Sequence, residues 1–367
     1  RGLMMDTPLL VSSLLRHGAA IYGDSEVVSR TVEGAIHRYG YAEAHRRSQQ
    51  LANALTRLGI KLGDRVGTIA WNTYRHFEIY FGVSGMGAVC HTMNPRLHPT
   101  QILYMLDHAD DRYVFVDKTF LPLIEQVVGQ AKTLEGVIVL TDRASMPEST
   151  IENLICYEDL VCAESESYDW PEFDEWTASS LCYTSGTTGN PKGVLYSNRA
   201  TVLHSLSVAM PNVLNLSDNE CILPIVPMFH VNAWGIPYAA VMTGTKLVMP
   251  GARLDGEGVY EMLNDERVTF TAGVPTVWIM LLAYMREQGK KLDHLQRIVI
   301  GGSAASRSMI QAFEEEFEVE VRHGWGMTEM SPVGAINTLA PPMRDLPAEE
   351  KLDIQSKQGR PPFGVEM

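Results

Sequence analysis

An α/β fold with largely parallel sheets is expected from two features of this 367-residue chain. Short β-branched runs recur along it, and most of the stretches between them carry helical spacing. That alternation points to helices layered on parallel strands. The expected strands, in chain order, are Val66–Ala70, Tyr113–Val116, Val137–Leu140, Leu181–Tyr183, Ile222–Val226, Lys246–Met249, Thr269–Ala272 and Ile298–Ile300. The first expected helix is Glu43–Leu58, where Leu51, Leu55 and Leu58 recur at i, i+4 and i+7 and Gly59 terminates the run. Further helices are expected over Thr100–Ala109, Phe120–Ala131, Gly258–Glu266, Thr276–Glu287 and Ser306–Glu316. Thr141–Thr150 and Glu164–Thr177 are polar and aperiodic, and the second reads as a link between subdomains. Met343–Lys357 reads as surface loop or short helix. There is no internal repeat or low-complexity tract.

Bulk properties exclude several function classes. Acidic side chains outnumber basic ones 44 to 30, giving a formal charge of −14. Such a surface repels nucleic acid and anionic lipid, and no basic cluster offsets it. The five cysteines (Cys90, Cys156, Cys162, Cys182, Cys221) lack C-x-x-C spacing and read as buried thiols in a reducing cytoplasm. The apolar stretch Ile222–Pro250 contains His230, Asn232 and Lys246 with several Pro and Gly, so it reads as strand, loop and buried helix, with no membrane span. The patch Leu9–Leu15 is broken by Ser12 and Ser13 and does not read as a signal peptide. Both ends read as incomplete: the chain starts at Arg1 and stops at Met367 with no closing element.

Residues 183–193, Tyr183-Thr-Ser-Gly-Thr-Thr-Gly-Asn-Pro-Lys-Gly193, combine four aliphatic hydroxyls, three glycines and one lysine. Glycines let backbone N–H groups approach an anion, and the hydroxyls of Thr184, Ser185, Thr187 and Thr188 can donate to it. Lys192 adds a mobile positive charge, and Pro191 stiffens the turn before it. This is not a Walker A loop, because Pro191 and Gly193 flank the lysine where that pattern needs Gly and Ser/Thr. By composition alone, a phosphate grip and a solvated turn stay open.

The whole string resembles the signature of the adenylate-forming superfamily, which includes acyl-CoA synthetases, amino-acid-activating domains of peptide synthetases and firefly-type luciferases. The resemblance implies that Thr184, Ser185, Gly186, Thr187, Thr188, Gly189 and Lys192 close over the β- and γ-phosphates of ATP. His323-Gly-Trp-Gly-Met-Thr-Glu-Met-Ser331 is similar to the family's second motif. It implies that Gly324, Trp325, Gly326 and Met327 border the nucleotide, Trp325 stacking on adenine where Tyr is commoner. Thr328 would contact the phosphates, and Glu329 would hold Mg²⁺, whose preferred ligands are hard oxygens. Ile300-Gly-Gly-Ser-Ala304 resembles the segment bordering adenine and the acyl carboxylate, placing Gly301, Gly302, Ser303 and Ala304 there.

Pro227-Met-Phe-His-Val-Asn-Ala-Trp234 resembles the motif that separates the classes. Acyl-CoA synthetases and luciferases tend to carry Phe-His there, whereas amino-acid-activating domains carry Phe-Asp. His230 therefore suits an amine-free carboxylate and disfavours an amino acid. Trp234 either shapes the acyl pocket or packs in the core. Met93-Asn-Pro-Arg96 reads as fold support.

The resemblance spans the chain and is nearest to bacterial medium-chain fatty acyl-CoA synthetases and 3-methylmercaptopropionate-CoA ligases. It implies one large N-terminal domain, residues 1–367, of two packed subdomains of sheets flanked by helices. Their bounds are approximately 60–180, then 1–59 with 181–338, with a partial third β-subdomain over 339–367. The implied partners are ATP, Mg²⁺, coenzyme A and a short- or medium-chain fatty or methylthio-alkanoic acid. In the full-length enzyme the acid would become acyl-AMP and then acyl-CoA, with release of pyrophosphate and AMP. A luciferase-like or other adenylate-forming protein that makes no CoA ester is the alternative. Related enzymes are often homodimers, and the oligomeric state stays open. The family's Thr-Gly-Asp motif, hinge and C-terminal adenylation lysine do not occur in residues 1–367, which implies slow adenylation by this chain alone.

Overall fold

The structure, a computed structural model, describes residues 3–152, 154–184 and 190–367. Two sheets organise it. The seven-stranded sheet has the order 155–156, 136–139, 111–116, 65–69, 89–92, 178–183, 193–197, parallel except for its last pair. The eight-stranded sheet runs 333–336, 320–326, 297–300, 270–273, 221–224, 246–249, 26–30, 36–40. Its six inner strands are parallel, and the strand at each edge is antiparallel. Val66–Ile69 and Val89–Thr92 are buried at every residue, as strands covered by helices on both faces must be.

The layers follow from which helices have a polar face. One core lies between the sheets and joins Val66 and Phe115 of one to Val27, Leu247 and Phe270 of the other. Helices Tyr74–Gly85 and Ile236–Thr243 lie in it, the first buried along its whole length. A second core packs helices Gly256–Asp265 and Pro275–Gln288 on the outer face of the eight-stranded sheet. A third packs helix Pro99–Ala109 on the outer face of the seven-stranded sheet. The result is helix–sheet–helix–sheet–helix.

The expected strands and most of the expected helices occur within a few residues of their sequence limits. Phe120–Ala131 breaks into a helix Leu121–Glu125 between two 3₁₀ turns, and Ser306–Glu316 passes from α-helix to a π turn at Ala312. The patch Leu9–Leu15 belongs to helix Val11–Ile21. The first sheet does not stop at 180: Ala178–Tyr183 and Gly193–Ser197 belong to it, so its last strand ends at Ser197. Glu164–Thr177 consequently joins two strands of one sheet rather than two subdomains. It straps over helix Tyr41–Arg57, where the Asn53 amide donates to the carbonyls of Ser165 and Ser167 at 2.9 Å each. Residues 339–367 hold the short helix Ala348–Gln355 and one bridge, Ile336 to Arg360. Four cysteines are buried, but Cys162 is exposed, contrary to expectation. Among the described residues no helix is long and apolar enough to cross a membrane.

Side chains of the first sheet's subdomain fasten the loop that leaves strand Cys221–Pro224. Asn72 is 4 % exposed. Its amide donates to the carbonyls of Pro224 and Val226 at 2.9 Å each, and its Oδ1 accepts from the Met228 N–H at 2.7 Å. The Tyr80 hydroxyl donates to the Met228 carbonyl, and Thr92 Oγ1 donates to the Phe229 carbonyl at 3.3 Å. Truncation at residue 72 would orphan three buried backbone groups, each costing about 1–3 kcal/mol. Asn72→Ala is therefore expected to lower unfolding free energy by about 2–5 kcal/mol after partial relaxation, read by urea denaturation. A change below about 1 kcal/mol would contradict this accounting.

Candidate active site

In parallel α/β sheets, ligands bind beyond the carboxyl ends of the strands, where the chain order reverses. Strand Cys221–Pro224 is such a point, with its successor 246–249 on one side and 270–273 on the other. Segments 225–235, 301–305 and 324–330 leave the C-terminal ends of 221–224 and 297–300 and the last turn of 320–326. From the other sheet, Ala178–Tyr183 leads into Thr184.

These segments enclose a cavity of about 270 Å³. It is lined by Thr184, His230, Trp234, Gly301, Gly302, Gly324, Trp325, Gly326, Met327, Thr328 and Glu329. All were singled out in the sequence, and they come from four separate stretches. Leu214, Val231, Val299, Val333, Ala335 and Ile336 add an apolar lining that sequence reasoning missed. A larger, charged groove of about 820 Å³, bordered by Glu314, Glu320, Arg322 and Arg344, contains none of the expected site residues.

Ser303 and Ala304 are exposed on the turn after Gly302 and do not line the cavity. Lys192 is also exposed and outside the lining. Ser185, Gly186, Thr187, Thr188 and Gly189 lie outside the described residues. The base of their loop is fixed nonetheless. The Thr184 N–H donates to the Lys192 carbonyl at 2.9 Å, and strand Gly193–Ser197 pairs back on Ala178–Tyr183. From that returning strand the buried Tyr196 hydroxyl donates to the Thr328 carbonyl. Burial pushes the Tyr196 phenol well up, with Cys182 and Glu329 adding to it, so it stays a donor. One hydrogen bond thus joins the hairpin bearing Lys192 to the segment bearing Glu329.

Trp325 is 39 % exposed, which rules out an ordinary core position. Its ring lies over Gly334, where a Cβ would come within 2.4 Å of the indole. Trp234 packs against Gly301 in the same manner, with a Cβ there 2.8 Å from the ring. His323, buried one residue before Gly324, accepts from the Ala305 N–H through Nε2 at 3.3 Å. Its Nδ1 donates to the Ser356 carbonyl at 3.1 Å. It fastens the 301–305 turn to the neighbouring strand, and burial lowers its pKa in keeping with a neutral ring.

His230 opens onto the cavity, yet the surrounding protein desolvates it and holds its pKa below the usual histidine range. It therefore meets a ligand near neutral pH as a neutral imidazole, able to donate from one nitrogen. Glu329 is exposed to the cavity beside the buried Thr328. Among the described residues no group of three or more His, Cys, Asp or Glu is arranged so that it could hold a metal ion. An all-protein metal cage is therefore absent there. A single cavity-lining carboxylate in the company of the Thr184 and Thr328 hydroxyls suits Mg²⁺, which is usually held by one or two carboxylates plus substrate phosphates.

The family description "AMP-binding enzyme" matches residues 15–367. The chain is 49 % identical over 366 residues to a medium-chain-fatty-acid–CoA ligase of Ectopseudomonas oleovorans, covering 100 % of this chain and 67 % of that protein. It is 46 % identical to a 3-methylmercaptopropionyl-CoA ligase of Ruegeria lacuscaerulensis, covering 100 % and 68 %. A long-chain-fatty-acid–CoA ligase of Thermus thermophilus is 46 % identical, covering 98 % and 64 %. The chain thus spans about two thirds of the length of these relatives. Among solved structures, an anthranilate CoA ligase, AuaEII, in complex with anthranoyl-AMP superposes with a TM-score of 0.86 at 22 % identity, covering 98 % of this chain and 66 % of that one. The N-terminal domain of FACL13 from Mycobacterium tuberculosis gives 0.80 at 23 %, covering 96 % and 82 %. At these identities the superpositions speak to the fold alone.

The desolvation of His230 makes a direct expectation. An NMR titration of ring-labelled histidine should place this imidazole below 6.5, the ordinary histidine value. A midpoint at or above that value would contradict the neutral-donor assignment.

Proposed function

The chain belongs to the AMP-binding enzyme family, and on that premise we propose that it activates a short- or medium-chain carboxylic acid for transfer to coenzyme A. A carboxylate oxygen attacks the α-phosphorus of ATP, forming acyl-AMP and releasing pyrophosphate. The CoA thiol then attacks the acyl carbon, forming the thioester and releasing AMP.

The observation that carries this reading is the mixed lining of one cavity. Thr184, Thr328 and Glu329 supply polar groups for a triphosphate, while Trp234, Leu214, Val299, Val333, Ala335 and Ile336 supply apolar surface for an acyl chain. Trp325 offers adenine an exposed aromatic face held in place by Gly334. His230, open to the cavity and held neutral by the desolvating protein around it, donates to the acid's carboxylate without forming an ion pair that would deepen the ground state. Lys192, long and exposed at the loop's end, would reach the phosphates when nucleotide is bound. When bound, Mg²⁺ would be held by Glu329 and neutralise phosphate charge. We place the reaction in the cytoplasm.

Both the fatty acid and the methylthio-alkanoic acid suit this lining, because a thioether is a soft apolar group. One methylene changes selectivity by only about 1–3 kcal/mol in such a pocket, so length discrimination is graded rather than absolute. The curated relatives named above are all CoA ligases. That favours thioester formation over a luciferase-like reaction.

Acid-dependent ATP–pyrophosphate exchange tests the assignment across a panel of about C4–C8 fatty acids, 3-methylthiopropionate and amino acids. Exchange is expected with the first two classes, and exchange confined to amino acids would overturn the reading. In the full-length enzyme, Glu329→Ala should slow exchange by about 10²-fold, the scale of losing one electrostatic stabiliser, while sparing CoA attack on preformed acyl-AMP. Equal loss of both steps would contradict the role given to Glu329.

A further inference from the structure

The turn between His230 and Gly235 is wound the wrong way. Val231, Asn232, Ala233 and Trp234 have φ of +42, +54, +48 and +57°, and Gly235 follows at +76°. L-residues usually visit this region singly, and Asn does so more readily than most. A β-branched valine there is a true outlier. Four such residues in succession persist only where their surroundings over-determine them.

Those surroundings can be named. Within the turn, the Ala233 N–H donates to the His230 carbonyl at 3.1 Å and the Gly235 N–H to the Asn232 carbonyl at 3.0 Å. Gly235 closes it, since a Cβ there would lie 2.4 Å from His204 Nδ1. The tie across to the other sheet is Asn232, 4 % exposed and absent from the cavity lining. Its amide donates to Ser180 Oγ at 2.8 Å, and its Oδ1 accepts from Cys182 Sγ at 3.6 Å. Ser180 and Cys182 are buried on strand Ala178–Tyr183, the strand that delivers Thr184 to the cavity. Trp234 and His230, on either side of Asn232, do line that cavity.

We propose that Asn232 is a positioning residue for the acid. By clamping the left-handed turn to Ser180, it holds Trp234 against Gly301 and His230 at the cavity wall. It also gives the acid site and the base of the phosphate loop one shared strand as their reference. Without the clamp the turn relaxes toward right-handed or extended backbone. The lost hydrogen bonds are then offset by relieved strain, so the damage falls on the acid site and not on the fold.

This inference rests on the acid-activating function proposed above, and the test separates the two. In the protein, Asn232→Ala should raise the KM for the acid at least ten-fold. The KM for ATP should stay within two-fold and the Tm within a few degrees. Ser180→Ala should act in the same direction, and the double variant should be no worse than Asn232→Ala. Hydrogen–deuterium exchange gives a readout independent of turnover: exchange of the peptide spanning 228–236 should accelerate in Asn232→Ala, with helix Tyr74–Gly85 unchanged. Wild-type exchange rates in that peptide, an unchanged acid KM, or acid and ATP KM rising together with a collapsed Tm would each overturn the proposal. If the wild-type protein shows no acid-dependent pyrophosphate exchange, the functional reading fails instead, and the hydrogen-exchange result alone decides whether Asn232 holds the turn.

Discussion

Where strand Arg65–Ile69 ends, Asn72 turns into the neighbouring subdomain and satisfies two carbonyls and one N–H of the loop after Pro224. The rest of the site depends on bonds of this kind. Two parallel sheets that face each other through buried helices leave their connecting loops in a place water does not reach freely. Each backbone polar group there needs a protein partner. Asn72, Tyr80, Thr92 and Tyr196, all from the seven-stranded side, answer that need for segments that belong to the eight-stranded side, and Ser180 does the same for the buried amide of Asn232. The polar accounting that makes the junction foldable therefore also fixes its geometry.

That geometry has a chemical consequence. A carboxylate is a poor nucleophile toward a polyanion, so both must be oriented and partly desolvated before they react. In the proposed reaction the cavity would do this with unequal means: hydroxyls and one carboxylate on the polar residues, tryptophans and aliphatic side chains elsewhere, and a histidine kept neutral by its surroundings. Strain has a part as well. The left-handed turn after His230 is the least favourable backbone described for this site, and it sits between His230 and Trp234, the two side chains proposed to meet the acid.

How much of this is legible in the sequence depends on the signal each element carries. The run Lys246–Met249 is bounded by Gly244 and Pro250 and shows its limits plainly. Helix Tyr74–Gly85 carries no polar stripe because every face is buried, so periodicity misses it. The hairpin Glu26–Gly40 and strand Glu320–Gly326 are too polar or glycine-rich to read as strands alone. The division near residue 180 fails because an antiparallel return strand carries no marker of which sheet it joins. For the site, local motifs suffice to single out Thr184, His230, Trp325 and Glu329, since each is a chemistry-bearing residue in a distinctive string. Asn72, Tyr196 and Asn232 are invisible by that route. Their value lies in partners more than a hundred residues away, or at least fifty for Asn232. Val231 runs against local preference altogether: its conformation is a tertiary decision.

The claim that one cavity at the sheet junction takes both nucleotide and acid is most directly tested by determining the structure of the protein with a non-hydrolysable acyl-adenylate analogue. The account predicts adenine against the Trp325 indole, the phosphate mimic beside Thr328, and the acyl group between His230 and Trp234. An analogue seated in the charged groove near Glu314 and Arg344, or anywhere that leaves Trp325 and His230 untouched, would contradict it.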